Sequence, residues 1–301
     1  TNSGTEGRDA YLIEKAKEAG FDIEVVALGA SEVTERMIAE KNNPLCDVTF
    51  GLNNIEYEKL KANGLLQKWE PDWVDGVDPD GYYYPVTTTP LVLMGNADYD
   101  NMPSDWTDLT KDEYKGLYQL HNLGGGTAKT VFASIISRYQ DPDGDLGISD
   151  EGWEIAAKFL GNAHNIADGE DAVGSVIDGT YPMDEHWASG VLTEQKDRDY
   201  KFQIMTPDIG EPYVVESLAI SAGTKKYDTC VAFLNWLGSS DVQLDWSNNY
   251  GTIPCQKEAL TQVSDDIKEL METLKPQDLD WSFIAENVDA WVEKAELEYV
   301  Q

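Results

Sequence analysis

Short β-branched runs alternate with amphipathic helical stretches along most of this chain, and that alternation leaves few folds open. The pattern predicts a helix over residues 6–19, led in by the cap-forming Asn2-Ser3-Gly4-Thr5 and ended by Gly20. Ala10, Leu12, Ile13 and Ala16 fall largely on one side of it. A strand over 23–28, a helix from Ser31 to about 41, a strand over 47–51 and a helix over 54–62 follow. Strands of this length set between helices imply βαβ units, hence an α/β fold with a mostly parallel sheet.

The Pro-, Gly- and Asp-rich stretch 70–81 predicts a surface loop. Two strands are expected at 82–89 and 91–96, parted by Pro90, with a loop at 105–109 and a strand at 116–121. Asn122-Leu123-Gly124-Gly125-Gly126-Thr127 opens a helix reaching Arg138; a loop at 141–149 and helices at 150–165 and 168–178 come next. Further strands are predicted at 181–187, 201–206 and 214–221, and from Lys225 the pattern is helical. A helical tail after an α/β middle is explained if it packs back on the first domain, so that the chain crosses between two domains twice.

Composition narrows the function. The 301 residues carry 22 Lys+Arg against 56 Asp+Glu, a formal charge of −34, yet 41% are hydrophobic, enough for a buried core. Phosphate backbones and anionic membrane surfaces both require basic residues, so neither is an expected partner. Apolar runs such as Pro90 to Met94 are too short to span a bilayer. Cys46, Cys230 and Cys255 are widely spaced, and His121, His164 and His186 are scattered, which gives no zinc spacing; the cysteines read as ordinary thiols. The chain starts at Thr1 with no strand before its first helix, so a longer precursor is expected.

Two turns rich in Gly, Ser and Thr feed helix N-termini: Asn2-Ser3-Gly4-Thr5 and Gly124-Gly125-Gly126-Thr127. First-turn N–H groups lack internal partners and the helix dipole is positive there, so such turns hold oxyanions without lysine. The plain alternative is that both are N-caps. Asp184-Glu185-His186-Trp187 lies at a predicted strand end, where open α/β sheets bind ligands. Alternation puts Asp184 and His186 on one side and Glu185 on the other. These groups suit sugar hydroxyls, a metal or acid–base work. Asp141-Pro142-Asp143-Gly144-Asp145-Leu146-Gly147 has a calcium-loop flavour but fails at Leu146 and Gly152, so a solvated acidic loop is expected. Tyr82-Tyr83-Tyr84 reads as core rather than a stacking platform. No nucleophile sits with a base at a recognisable spacing, so an enzyme is the weaker class.

Asp47-Val48-Thr49-Phe50-Gly51-Leu52-Asn53-Asn54-Ile55, then Leu60-Lys61-Ala62-Asn63-Gly64-Leu65-Leu66, resembles a stretch of ABC-transporter solute-binding proteins. The likeness continues through Tyr84-Pro85-Val86-Thr87-Thr88-Thr89-Pro90-Leu91-Val92 and returns at Gly210-Glu211-Pro212-Tyr213-Val214-Val215-Glu216. Ala232-Phe233-Leu234-Asn235-Trp236-Leu237 and Asn249-Tyr250-Gly251-Thr252-Ile253-Pro254 complete it, over nearly the whole chain. Each motif is modest; their order is specific. The chain is similar to the ferric-iron, phosphonate and sugar-phosphate branch of type II periplasmic binding proteins.

The resemblance implies two α/β lobes, each a mixed sheet flanked by helices, with ligand in the cleft between them. It places lobe 1 at residues 1–88 and 215–301 and lobe 2 at 89–214, with crossings near 86–92 and 207–216. It implies a monomer without catalysis or cofactor that works outside the cytoplasmic membrane, in the periplasm or as a surface lipoprotein. Its partners would be a small solute and an ABC permease, not nucleic acid. Ferric-binding relatives carry an adjacent tyrosine pair where this chain has Asp184-Glu185-His186-Trp187, so a phosphorylated or otherwise anionic solute is expected ahead of ferric iron. A polyamine binder and a phosphate-ester hydrolase rank lower. Ser3, Gly4 and Thr5, with Gly125, Gly126 and Thr127, are expected to donate to an oxyanion; Asn53 and Thr88 to line the lobe 1 wall; and Asp184, Glu185, His186 and Glu216 to accept from hydroxyls or an amine.

Overall fold

The computed structural model describes residues 1–4, 7–73, 80–167 and 169–300. The chain divides into one unit of Thr1–Thr88 with Val215–Ser264 and another of Thr89–Val214 with Asp265–Gln301. It therefore changes unit a third time near residue 264, and the tail expected with the first lobe groups with the second.

The first unit is built on strand Tyr213–Ser221, whose later residues pair antiparallel with Val48–Leu52 and Leu66–Gln67. Ile253–Pro254 pairs antiparallel with Thr87 and Thr88 of strand Tyr83–Gly95. The ladders described in this unit are antiparallel, against the mostly parallel sheet expected. Leu12 and Ala16, one turn apart on helix Arg8–Glu18, pack with Leu218, Ile220, Phe233 and Leu234. Ile13, expected on the same face, stays 39% exposed, so the buried stripe is narrower than the sequence pattern. The run 23–28 forms no strand. Leu28 N–H donates to Thr1 O at 3.0 Å, and the Thr1 N–H to Val26 O at 3.1 Å, but no ladder is formed. A β-branched run becomes a strand only where a neighbouring edge is available.

In the second unit, Tyr118–Leu120 pairs parallel with both His164–Asn165 and Met183–Trp187. Met183–Trp187 pairs antiparallel with Leu91–Gly95. The two strands expected around Pro90 are one, Tyr83–Gly95. Pro90 sits in it between the segment paired with Ile253–Pro254 and the segment paired with Met183–Trp187. His164, expected at a helix end, lies beyond helix Asp150–Asn162, and its ring stacks on Tyr181 with centroids 4.1 Å apart.

The tail helix Trp281–Glu298 explains both its own placement and the acidic loop. Its Trp291 indole donates to Leu146 O at 3.0 Å, and its Lys294 ammonium lies 3.2 Å from Asp145 Oδ2. Residues 140–145 form a short strand that is solvated as expected, mostly exposed along its length, and one of its three carboxylates, Asp145, pairs with Lys294. Tyr83 stacks on Tyr57 at 5.0 Å and Tyr84 O–H donates to Trp69 O, so these rings serve the core. The three cysteines are unpaired; burial pushes the Cys46 thiol up to about 11 and Cys255 up to about 12, which keeps both unreactive. No helix among the described residues is long and apolar enough to cross a membrane.

Candidate functional site

In the first unit, a bulge at Gly51 shifts the register between Phe50 and Leu52 opposite Ser217 and Leu218. Gly51 has φ +80°, and a Cβ there would lie 2.2 Å from Ser3 Oγ, so Ser3 is seated on bare backbone. Ser3 is buried. Gly4 serves packing instead: a Cβ on it would meet Ala27 Cβ at 2.7 Å. Thr5 lies outside the described residues. Glu216 is half-buried and Oε2 accepts from Thr87 Oγ1 at 3.1 Å. Burial raises its carboxyl above the usual range, while the nearby Ser3 and Thr87 side chains oppose the rise. Asn53 is not a free wall residue: it caps helix Asn54–Ala62, Oδ1 accepting from Glu56 N–H at 3.1 Å. Among the described residues the Thr88 hydroxyl has no hydrogen-bond partner, nor do the buried hydroxyls of Thr49, Ser217 and Thr252. A Gly51→Ala substitution is expected to lower stability by about 1–2 kcal/mol, the cost of a left-handed alanine, and to dislodge Ser3. Urea unfolding checks the first effect; an unchanged midpoint would mean that the bulge relaxes freely.

In the second unit the parallel ladder decides the site. Tyr118 lies opposite Met183 and Gln119 opposite Asp184, so the C-terminal ends of both strands emerge side by side. His121, one residue past its strand, arrives beside His186, ring centroids 6.3 Å apart. Asp184 Oδ2 lies 3.1 Å from His186 Nδ1, and His186 stacks on Trp187 at 4.2 Å. Asp184 and Glu185 are fully buried and His186 is 5% exposed. Glu185 Oε2 accepts from the His121 backbone N–H at 3.4 Å, on the opposite face from the Asp184–His186 pair. Among the described residues, Asp184 Oδ1, Glu185 Oε1 and His121 Nε2 have no hydrogen-bond partner.

Burial, with Asp184 adding to it, pushes the Glu185 carboxyl up to about 8. Burial lowers the His121 imidazole, with His186 in the same sense and Asp184 opposing. The sequence offered no signal for His121 as a member of this cluster, because its partners are some 64 residues away and reach it only through strand pairing.

His121 leads into the glycine turn. Asn122 Oδ1 accepts from Gly124 N–H at 2.7 Å and Asn122 O from Gly125 N–H at 2.8 Å. The Gly125 amide, expected to donate to a ligand, is therefore spent inside the loop. Helix Gly126–Ile136 opens with no side-chain cap, Gly126 is exposed and Thr127 is half-buried. A Cβ on Gly126 would meet nothing within 4 Å. Its first-turn amides and dipole supply donors just past the end of strand Tyr118–Leu120, the parallel neighbour of the strand that carries Asp184 and Glu185.

Residues 12–275 match the sequence profile of the bacterial extracellular solute-binding proteins. A probable ABC transporter periplasmic-binding protein, y4fP, of Sinorhizobium fredii is 33% identical over 302 residues, 98% of this chain and 84% of the relative. Among solved structures, the ferric binding protein from Campylobacter jejuni aligns with a TM-score of 0.80 at 21% identity, over 96% of this chain and 95% of the other. The periplasmic binding protein AfuA from Actinobacillus pleuropneumoniae, solved with fructose-6-phosphate bound, aligns with a TM-score of 0.75 at 19% identity, over 97% and 96%. These neighbours share the two-lobe fold of periplasmic binding proteins.

Proposed function

The chain belongs to the bacterial extracellular solute-binding proteins and is the solute-binding component of an ABC importer, and from that premise we propose that its solute is a small phosphorylated or otherwise anionic compound, a sugar phosphate or phosphonate. The observation that carries this is the C-terminal end of the parallel strand pair Tyr118–Leu120 and Met183–Trp187 in the second unit. There the uncapped helix start at Gly126 and Thr127 follows strand Tyr118–Leu120, and the neighbouring parallel strand carries the buried Asp184 and, on its other face, Glu185, whose Oδ1 and Oε1 atoms have no partner among the described residues. Amides only donate and suit a phosphoryl group; carboxylates only accept and suit hydroxyls. Repulsion between carboxylates and the phosphoryl end then fixes the solute's orientation. Ser3, Thr88 and Glu216 in the first unit supply a second set of hydroxyls with one acid, and we include them among the solute-binding residues. The protein acts as a monomer outside the cytoplasmic membrane, tethered by lipid where the cell has a single membrane, and does not turn its solute over.

The net charge of −34 does not forbid an anion. At physiological salt the Debye length is about 8 Å, so most exposed acids are screened from the site and slow association rather than abolish affinity. Ferric iron is the second reading, because the same strand end gathers His121, Asp184 and His186. One carboxylate between two imidazoles is, however, a poor oxygen set for a hard trivalent ion.

Calorimetry against hexose phosphates, phosphonates, phosphate, ferric citrate and spermidine separates these readings. A hexose phosphate or phosphonate is expected to bind tightest. Asp184→Asn and Glu216→Gln should each weaken a hexose phosphate by about tenfold or more, about 1.4 kcal/mol, with less effect on inorganic phosphate. Gly126→Val, which the surrounding space accommodates, should weaken both. Tight ferric citrate binding with no phosphorylated ligand bound would reverse the order of the two readings.

A further inference from the structure

His121, Asp184 and His186 each present one ligand atom, and these atoms all lie within 4.8 Å of one another. Their spacing is set by backbone. Asp184 and His186 share strand Met183–Trp187, and His121 follows Tyr118–Leu120, the parallel neighbour. Asp184 is 0% exposed and its Oδ1 has no partner among the described residues; His121 Nε2 is also buried without one among them. A buried carboxylate oxygen with no donor is costly to desolvate and points to a missing positive partner. No protein cation supplies it: among the described residues the ion pair formed by Asp184 is with His186. Gly190 leaves the space His186 occupies, since a Cβ there would lie 2.7 Å from His186 Nε2.

Two imidazoles and one carboxylate are the donor set of borderline divalent ions. Three protein ligands leave such an ion with open positions for other oxygen atoms. We propose that His121, Asp184 and His186 bind one divalent first-row transition ion, and that its open positions take oxygen atoms of the solute. Glu185 would act behind the ligands, holding the His121 backbone N–H through Oε2. A resident cation gives a −34 chain the local positive charge that its few lysines and arginines do not bring to this strand end. The metal site stands on geometry alone; its role toward the solute rests on the anionic-solute function proposed above.

The test uses the full chain after chelator treatment, titrated with ZnCl2 by calorimetry and with CoCl2 by visible absorption. One Zn2+ per chain and a d–d band from nitrogen-ligated Co2+ are expected. His121→Ala, Asp184→Asn and His186→Ala should each weaken Zn2+ by about tenfold or more and abolish the band. His164→Ala, which removes a histidine paired with Glu170 instead, should change neither. Circular dichroism identifies which variants fold, and the folded ones decide. Absence of the band from the parent, or its survival in the three variants, overturns the proposal. Glucose 6-phosphate is then titrated with and without Zn2+, and binding about tenfold weaker without the ion is expected. Equal affinity in chelator overturns the bridging role and leaves the anionic-solute function standing. Variant-sensitive Zn2+ binding with no phosphorylated ligand bound under either condition upholds the metal site and overturns that function instead.

Discussion

Raising the pH through the neutral range is expected to destabilise this protein through Glu211, and Glu211→Gln is expected to remove that part of the loss. Glu211 is 1% exposed, in the segment leading into strand Tyr213–Ser221. Its backbone is held on both sides, the N–H by Lys275 O and the carbonyl by Gln277 N–H, each at 2.8 Å. Its Oε2 accepts from the Trp106 indole at 2.7 Å, and Oε1 has no partner among the described residues. Burial pushes the carboxyl up to about 8 from an ordinary 4.5; the Trp106 hydrogen bond and the Arg138 charge oppose the rise, and Asp105 adds to it. Between those two values the folded chain holds a proton that the unfolded chain has released. The unfolded state binds fewer protons, so stability falls as pH rises, by up to about 1.4 kcal/mol per unit. Partial relaxation around Arg138 makes a total on the order of 2 kcal/mol the working expectation. Glutamine keeps an acceptor for the indole and has no proton to lose. Urea midpoints of parent and variant should therefore diverge as pH rises from about 5 to about 8, with the variant more stable at the upper end. Taking the difference removes the histidines and the other buried acids from the comparison. Parallel profiles would show that Glu211 ionises without penalty.

Local structure was readable wherever short-range chemistry decides it. Helix Asn54–Ala62 was readable, closed within one turn by the left-handed Gly64, whereas Asn53, expected as a wall residue, is its side-chain cap. The run 23–28 misled because strand propensity describes how side chains fit a sheet, and only the sheet decides whether an edge is free. The candidate site was half readable. Asp184, Glu185 and His186 are neighbours in sequence, so alternation alone gave their faces. His121 was not, since parallel pairing joins segments that carry no mark of each other. The glycine turn was recognised as a helix start, but which amides it consumes internally depends on the Asn122 side chain turning back onto Gly124. Solute class was not readable at all from composition: the charge that dominates the sequence is spread over the surface, whereas the acids at the strand end are buried.

The tail offers the largest mutational effect. A helical pattern specifies an apolar face but not the surface that receives it, which is why residues 265–301 were expected on the first unit and group with the second. Ile284, Val288, Trp291 and Ala295 recur at helical spacing and are fully buried. Trp291 is the anchor: its ring lies 5.4 Å from Phe283, and its indole donates to Leu146 O, a residue held at φ 51°. Gly147 completes the seat, since a Cβ there would come within 3.2 Å of the Phe283 ring. Trp291→Ala removes a buried indole and leaves a carbonyl without its donor, so a loss of about 3–5 kcal/mol is expected. Trp291→Phe keeps most of the volume and loses the hydrogen bond, for about 1–2 kcal/mol. Leu297→Ala, on a residue 78% exposed, should stay within about 0.5 kcal/mol. Denaturant titration of the three variants ranks them. A near-neutral Trp291→Ala would mean that the tail helix is not docked through this face.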